Sequence, residues 1–149
     1  MGGTFGGSAE RNVTVPTGKS IFMPVHPWIF GSAVGDCDPT NPGVPCDVPT
    51  LRAAAASAAT GAEVLEAWID GAQVNNIRDY RAFSPQPFSV TLPAGAVFGI
   101  PAGTYYPQVS DGYWLMLAPL SNGGHTIRVH VVNSAFGIDQ NVIVHLTIN

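Results

Sequence analysis

Four histidines are the side chains of this sequence best suited to hold a metal ion or move a proton: His26, His125, His130 and His145. Two of them lie inside the apolar runs of the closing stretch "GGHTIRVHVVNSAFGIDQNVIVHLTIN". Strand alternation puts Ile127, Val129 and Val131 on one face of the first run, and Val142, Val144, Leu146 and Ile148 on one face of the second. If both faces turn inward as neighbouring antiparallel arms, one register sets Val131 opposite Val144 and His130 opposite His145. Directly opposed residues have Cβ atoms about 4.5–5.5 Å apart. Two imidazoles at that spacing can share a transition metal, with His26, held between prolines in "PVHPW", as a further candidate ligand. The plainer expectation is a wet sheet face. Two ligands do not make a site, Arg128 on the same face repels a cation, and a register slip of two keeps the core while separating the pair.

His125 shares the parity of the core residues and follows Gly123-Gly124, at the mouth of a strand. A histidine there is expected to bond a backbone carbonyl and pin the turn. Ser110, Asp111 and His125 are the side-chain types of a hydrolytic triad, but no nucleophile elbow accompanies them, and Ser-Asp-Gly reads first as a turn. Asp36, Asp38, Asn41 and Asp47 crowd one loop with oxygen donors of the kind Ca²⁺ prefers, without EF-hand spacing; a solvated acidic loop is the simpler reading. No catalytic set is convincing, so the expectation leans away from an enzyme. Aromatic side chains offer another chemistry. Tyr105, Tyr106 and Trp28 fall in expected loops, where exposed rings stack on sugars. The alternative for each ring singly is a cap on the core.

Cys37 and Cys46 bracket "DPTNPGVP", a Pro- and Asn-rich loop. Two thiols in one loop read as a disulfide, since a bare Cys-x8-Cys is poor zinc spacing. A disulfide of this kind implies an oxidising compartment, so the expected location is secreted or periplasmic. No signal peptide is present, and Met1-Gly2-Gly3 reads as the start of a mature or trimmed chain.

These residues need elements to hold them. The sequence has 149 residues, which fits a single domain over 1–149 with a core of its own. Charged residues are only 11% of the chain and hydrophobic ones 46%, so solubility rests on Ser, Thr, Asn, Gly and Gln. The net charge is −4 with six Lys and Arg; a nucleic-acid partner is therefore not expected. No run has the length of a membrane span. Thirteen prolines and seventeen glycines suit many short strands and turns.

Strands are expected over 11–25 (two, joined at Pro16-Thr17-Gly18), 63–74 with a hairpin at Asp70-Gly71, 87–93, 111–120, 125–132 and 141–148. The stretch from His26 to Pro49 reads as irregular. "TLRAAAASAATG" (50–61) is the only helix, with Thr50 as N-cap and Gly61 as stop. The pattern is all-β: an antiparallel β-sandwich, Ig-like or jelly-roll, with one short Ala-rich helix. Strand 111–120 is apolar on both faces, which marks a central strand. If left uncovered, it is also where a homo-oligomer would form.

"LSNGGHTIRVHVVNSAF" looks like the penultimate strand of Ig-like and jelly-roll sandwiches. More closely, the chain resembles a family of uncharacterised secreted bacterial proteins. The matching pieces are "GTFGGSAERNVTVPTGKSIFMPV", "AWIDG", "VFGIPAGTYYPQVSDGYWLMLAPL" and "GGHTIRVHV", in order from Gly3 to Ile148. Members usually carry a cysteine just before the Thr-Val-Pro stretch; Asn12 stands there, so this chain departs from the pattern of any additional disulfide. The resemblance implies secretion and a β-sandwich, and no activity. Three functions follow as expectations. The first is a secreted, non-catalytic module recognising a surface polymer or a partner protein. The second is carbohydrate binding through Trp28, Tyr105 and Tyr106. The third is a metal-binding protein or metalloenzyme using His130 and His145.

Overall fold

In the computed structural model, which describes residues 6–41, 43–96 and 99–149, the two closing runs form adjacent antiparallel strands, β8 (Gly123–Asn133) and β9 (Ile138–Ile148). Of the stretches that carry the family resemblance, Gly3, Thr4, Phe5, Val97 and Phe98 lie outside these residues. Ile127, Val129, Val131, Val142, Val144, Leu146 and Ile148 are all buried, so both apolar faces turn inward as their alternation demands. The register differs from the one that would pair the histidines. Val129 faces Val142 and Ile127 faces Val144, while His130 faces Asn141 and His145 faces Thr126. Both registers keep the same residues inside, because they differ by an even number of positions. The connection decides between them. A single 3-10 turn, Ser134–Phe136, ends at Gly137, whose left-handed φ of 64° lets its N–H reach the Ser134 carbonyl at 3.1 Å.

The chain gathers into two units. The first takes in the chain up to His26, Gly61–Arg81 and Tyr113–Asn149. It holds a five-stranded sheet in the order β1-β9-β8-β3-β4, with β1 at Gly7–Val15, β3 at Val64–Ile69 and β4 at Ala72–Gln73. Leu65 and Ala67 of β3 pair with Val131 and Val129 and are buried with them. The expected hairpin at Asp70-Gly71 is present, with left-handed φ values of 51° and 80°. One pairing corrects the expectation of an all-antiparallel fold: β1 runs parallel to β9, from Gly7 beside Gln140 to Val15 beside Ile148. The turn after β1 does not fold it back on its successor. Instead Thr17 N–H bonds the Asn149 carbonyl at 2.9 Å, and β2 (Ile21–Gly31) belongs to the other sheet.

That second sheet has the order β2-β7-β5, with β6 also paired to β7. Its members are β5 (Arg81–Phe83), β6 (Phe88–Leu92) and β7 (Gly103–Leu117). β7 is central, as its two apolar faces require, but it starts well before the expected 111. In the first unit, Ile21, Met23, Val25, Tyr113 and Leu115 are its buried apolar residues, while Phe22 and Trp114 stack on the opposite face with centroids 5.4 Å apart.

The second unit comprises Pro27–Thr60 and Ala82–Gly112. Its helix α1 (Val48–Thr60) starts two residues before the expected Thr50. Asp47, not Thr50, is the cap: its carboxylate accepts the Thr50 N–H at 3.0 Å and also the Thr50 hydroxyl. Leu51 and Ala55 on α1 join Cys37 and Val109 in a buried cluster, with Phe30, Cys46 and Val48 packed against it. Gly31 closes β2 where no other residue fits. Its φ is +149°, and a Cβ there would lie 2.2 Å from the Pro107 carbonyl oxygen. Gln108, wholly buried beside it, donates to the Ser32 hydroxyl at 3.1 Å.

Candidate ligand cleft

The second unit contains a cleft of about 550 Å³ between the cysteine loop and the start of β7. One wall is Ser32, Gly35, Cys37, Asp38, Asn41 and Val44; the other is Thr104, Tyr105 and Tyr106. The loop wall is held by its own chemistry. The Cys37–Cys46 disulfide forms, with Cα atoms 5.0 Å apart. Asp38 N–H bonds the Val44 carbonyl at 2.8 Å, and Val44 N–H the Asn41 carbonyl at 3.0 Å. Asp38 Oδ1 accepts both the Thr40 N–H at 2.8 Å and the Thr40 hydroxyl at 2.7 Å, and Asn41 Oδ1 accepts the Gly43 N–H at 2.9 Å. The Thr40 hydroxyl and then its amide hold the Asp38 carboxyl below its ordinary value of 3.8.

The strand wall is equally fixed. Tyr105 donates its hydroxyl to the Pro101 carbonyl at 2.8 Å, and the Thr104 hydroxyl meets that of Thr91 at 2.9 Å. Tyr106 is 54% exposed. Tyr105 and Tyr106 are strand residues of β7, not the loop residues expected, because Ser-Asp-Gly reads as a turn and the expected strand begins only at 111. Trp28 is also in a strand, β2, where the irregular stretch was expected to begin. Its ring tilts against Phe30 at 6.0 Å, and its carbonyl accepts the Ser110 hydroxyl at 2.8 Å. It does not line the cleft, so the expected aromatic trio reduces to the tyrosine pair. Ser32 and Thr104 were missed; no spacing rule links positions so far apart in sequence.

The other candidate chemistries are placed as follows. Asp36 accepts the Gly31 N–H at 3.0 Å, while Asp38, Asn41 and Asp47 serve the turn and cap bonds above. Each holds local backbone rather than a common centre. Among the described residues, no three His, Cys, Asp or Glu side chains are grouped to hold a metal ion. His145 Nε2 lies 2.6 Å from Glu10 Oε1, and His130 lies between Glu66 and Asp139 at 3.5 and 3.6 Å. The expected His130–His145 pair is thus replaced by two separate histidine–carboxylate contacts. Arg128 covers the Trp68 ring at 4.7 Å and donates to Asn141. His26 is buried, with the Asn133 amide 3.3 Å from its Nε2.

His125 bonds a backbone carbonyl, as its place at the strand mouth led us to expect. Nε2 reaches the Ser121 carbonyl at 2.9 Å, and Nδ1 reaches Asp70 Oδ2 at 2.7 Å. The Ser121 hydroxyl is also near Nε2, at 3.3 Å, which imitates the order of a serine–histidine–carboxylate relay. The geometry opposes that use. With a carboxylate at one nitrogen and a carbonyl at the other, both nitrogens must donate, and no lone pair remains to accept a serine proton. The Asp70 bond first, and the Ser121 carbonyl second, raise the His125 pKa above its ordinary 6.5.

Comparison with protein-family models, with curated proteins and with solved structures finds no match. Function therefore rests on the site.

Proposed function

We propose that this chain is a non-catalytic binding module of an extracytoplasmic space, an Ig-like sandwich that takes a polysaccharide segment in the cleft between the cysteine loop and Tyr105–Tyr106. The cleft carries the reading. Its volume of about 550 Å³ lies in the usual range for small-ligand sites. It combines two tyrosine rings with hydroxyl and amide groups from Ser32, Asn41 and Thr104, the mixture that stacks on a sugar face and bonds its hydroxyls. The walls are tied before any ligand arrives, which lowers the ordering cost of binding.

The sandwich reading is supported by strand order. One sheet runs β9-β8-β3 and the other β2-β7-β5. With the short hairpin strand β4 and the off-path strand β6 set aside and the other seven lettered A to G in chain order, these are G-F-C and B-E-D, the division found in immunoglobulin-type sandwiches rather than in jelly rolls. The disulfide supports an oxidising compartment, in line with the secreted family that the sequence resembles. Among the described residues no helix is long and apolar enough to cross a membrane.

Calorimetric titration against neutral oligosaccharides, with pull-down on insoluble polysaccharides, tests the reading. Tyr106→Ala should weaken binding about tenfold, the equivalent of one good contact near 1.4 kcal/mol. Trp28→Phe, outside the cleft, should leave affinity unchanged. Absence of binding to every glycan, or full affinity in Tyr106→Ala, overturns it.

A further inference from the structure

We infer that the cleft selects sugars that carry a free, protonated amine, such as glucosamine units, over neutral or acidic ones. This rests on the glycan reading above and names the class of glycan. The observation is the charge on the two chain segments that wall the site. From Gly31 to Leu51 the sequence carries Asp36, Asp38 and Asp47 and no Lys, Arg or His; from Pro101 to Ser110 it carries no charged residue. Asp38 is the charged residue of the cleft wall.

The arrangement of Asp38 leaves it able to act. Both Thr40 donors use Oδ1, and the Asn41 amide adds a smaller contribution to the carboxylate. A carboxylate has about four lone-pair sites, so it keeps acceptor capacity in the cleft that it lines together with the two tyrosines. Aromatic faces attract an ammonium group through their quadrupole, and a carboxylate next to them adds a direct charge contact. The positive amino end of helix α1, which follows the cysteine loop, is already capped by Asp47. An anionic ligand such as a uronate would meet a carboxylate, and among the described lining residues there is no cation to offset it. A neutral N-acetylated sugar keeps the stacking and hydroxyl bonds but loses the charge contact. An amine-bearing sugar keeps all three.

The test is a titration of the whole chain with three oligomers of equal length: glucosamine, N-acetylglucosamine and galacturonate, at mildly acidic pH and at low and high salt. The glucosamine oligomer should bind about tenfold more tightly than the N-acetylated one, with the galacturonate oligomer weakest. Added salt should narrow the gap, as expected for an exposed charge contact. Asp38→Asn should erase the difference between the first two oligomers. Asparagine can still accept the Thr40 N–H, so the loop keeps its turn; a melting curve checks the fold. The salt dependence of the unsubstituted protein is a second readout, independent of whether the variant folds. Equal, salt-insensitive affinity for glucosamine and N-acetylglucosamine oligomers overturns the amine preference and leaves the glycan reading standing. So does an amine preference that survives in folded Asp38→Asn, because the preference then has another source. No binding to any of the three overturns the amine preference, and the glycan reading falls with it only when the wider panel of oligosaccharides and insoluble polysaccharides also fails to bind.

Discussion

Asp70 makes three bonds from one turn position. Its N–H goes to the Thr126 carbonyl at 2.8 Å, Oδ1 accepts the Thr126 N–H at 2.8 Å, and Oδ2 meets His125 Nδ1 at 2.7 Å. The clasp ties the β3–β4 hairpin to the start of β8, and its charge state sets its strength. His125 is raised above 6.5, so its contribution is complete below that pH and is lost as pH rises through the raised folded value. Asp70 is lowered from 3.8, chiefly by the His125 bond and then by the Thr126 amide; its contribution is present above 3.8 and lost as pH falls through the lowered folded value. The clasp is therefore strongest between these limits. Melting temperatures of the natural chain and of Asp70→Asn should differ most in that window, and the difference should narrow as pH rises through the raised His125 value. Asparagine tolerates the left-handed φ of 51° at this position, so the backbone is not the variable. A difference that stays constant from acid to alkaline pH would refute the clasp. His125 was legible in the sequence because its parity and the glycines before it placed it at a strand mouth. The separation of His130 from His145 was not, because hydrophobic alternation repeats every two residues and admits either register.

At the scale of elements, the cleft depends on the cysteine loop being docked on α1. Cys37 is buried against Leu51, Ala55 and Val109, so the disulfide is both a loop closure and a core contact. Joining residues nine positions apart removes denatured-state freedom, worth about 2–3 kcal/mol for a loop of this size. Reduction, or the pair Cys37→Ser and Cys46→Ser, should lower stability by about that amount. It should also abolish the glycan binding proposed for the cleft while the far-ultraviolet circular dichroism of the sheets persists. Unchanged affinity after complete reduction would mean that the loop wall is not part of the site. The disulfide and the Ala-rich helix were legible because each has a local signature, in composition or in spacing. The strand character of Trp28, Tyr105 and Tyr106 was hidden by the same kind of local evidence. Proline and Ser-Asp-Gly mark turns in isolation, yet here Pro107 and Gly112 are carried inside a long strand whose neighbours on both sides set its path. The cleft itself joins positions more than fifty residues apart in sequence, such as Ser32 and Tyr106, and no periodicity reports such a meeting.

At the scale of the molecule, the parallel placement of β1 answers a solubility problem. Charge makes up only 11% of the chain, so repulsion between copies is weak, and exposed sheet edges matter correspondingly more. The run from Asn141 to Ile148 in β9 is rich in β-branched and apolar residues and contains no proline, Lys, Arg, Asp or Glu. Such a segment is prone to pair with other chains when its backbone is open. β1 closes it along nine residues, with Val13 beside Leu146 and Val15 beside Ile148. It then presents Glu10 and Arg11 on the edge strand of the sheet, and the Glu10 carboxylate bonds His145. A chain beginning at Pro16 loses this cover. The half-buried valines and the ladder bonds together should cost about 2–4 kcal/mol of stability. The truncated protein should form concentration-dependent oligomers in sedimentation velocity at concentrations where the full chain keeps a constant sedimentation coefficient. Adding the segment Gly7–Val15 back as a peptide should partly reverse both changes, because the lost contacts are confined to one strand. A truncated chain with the same melting temperature and the same sedimentation coefficient would show that β9 needs no cover, and the protection would have to lie in the side chains of its outer face.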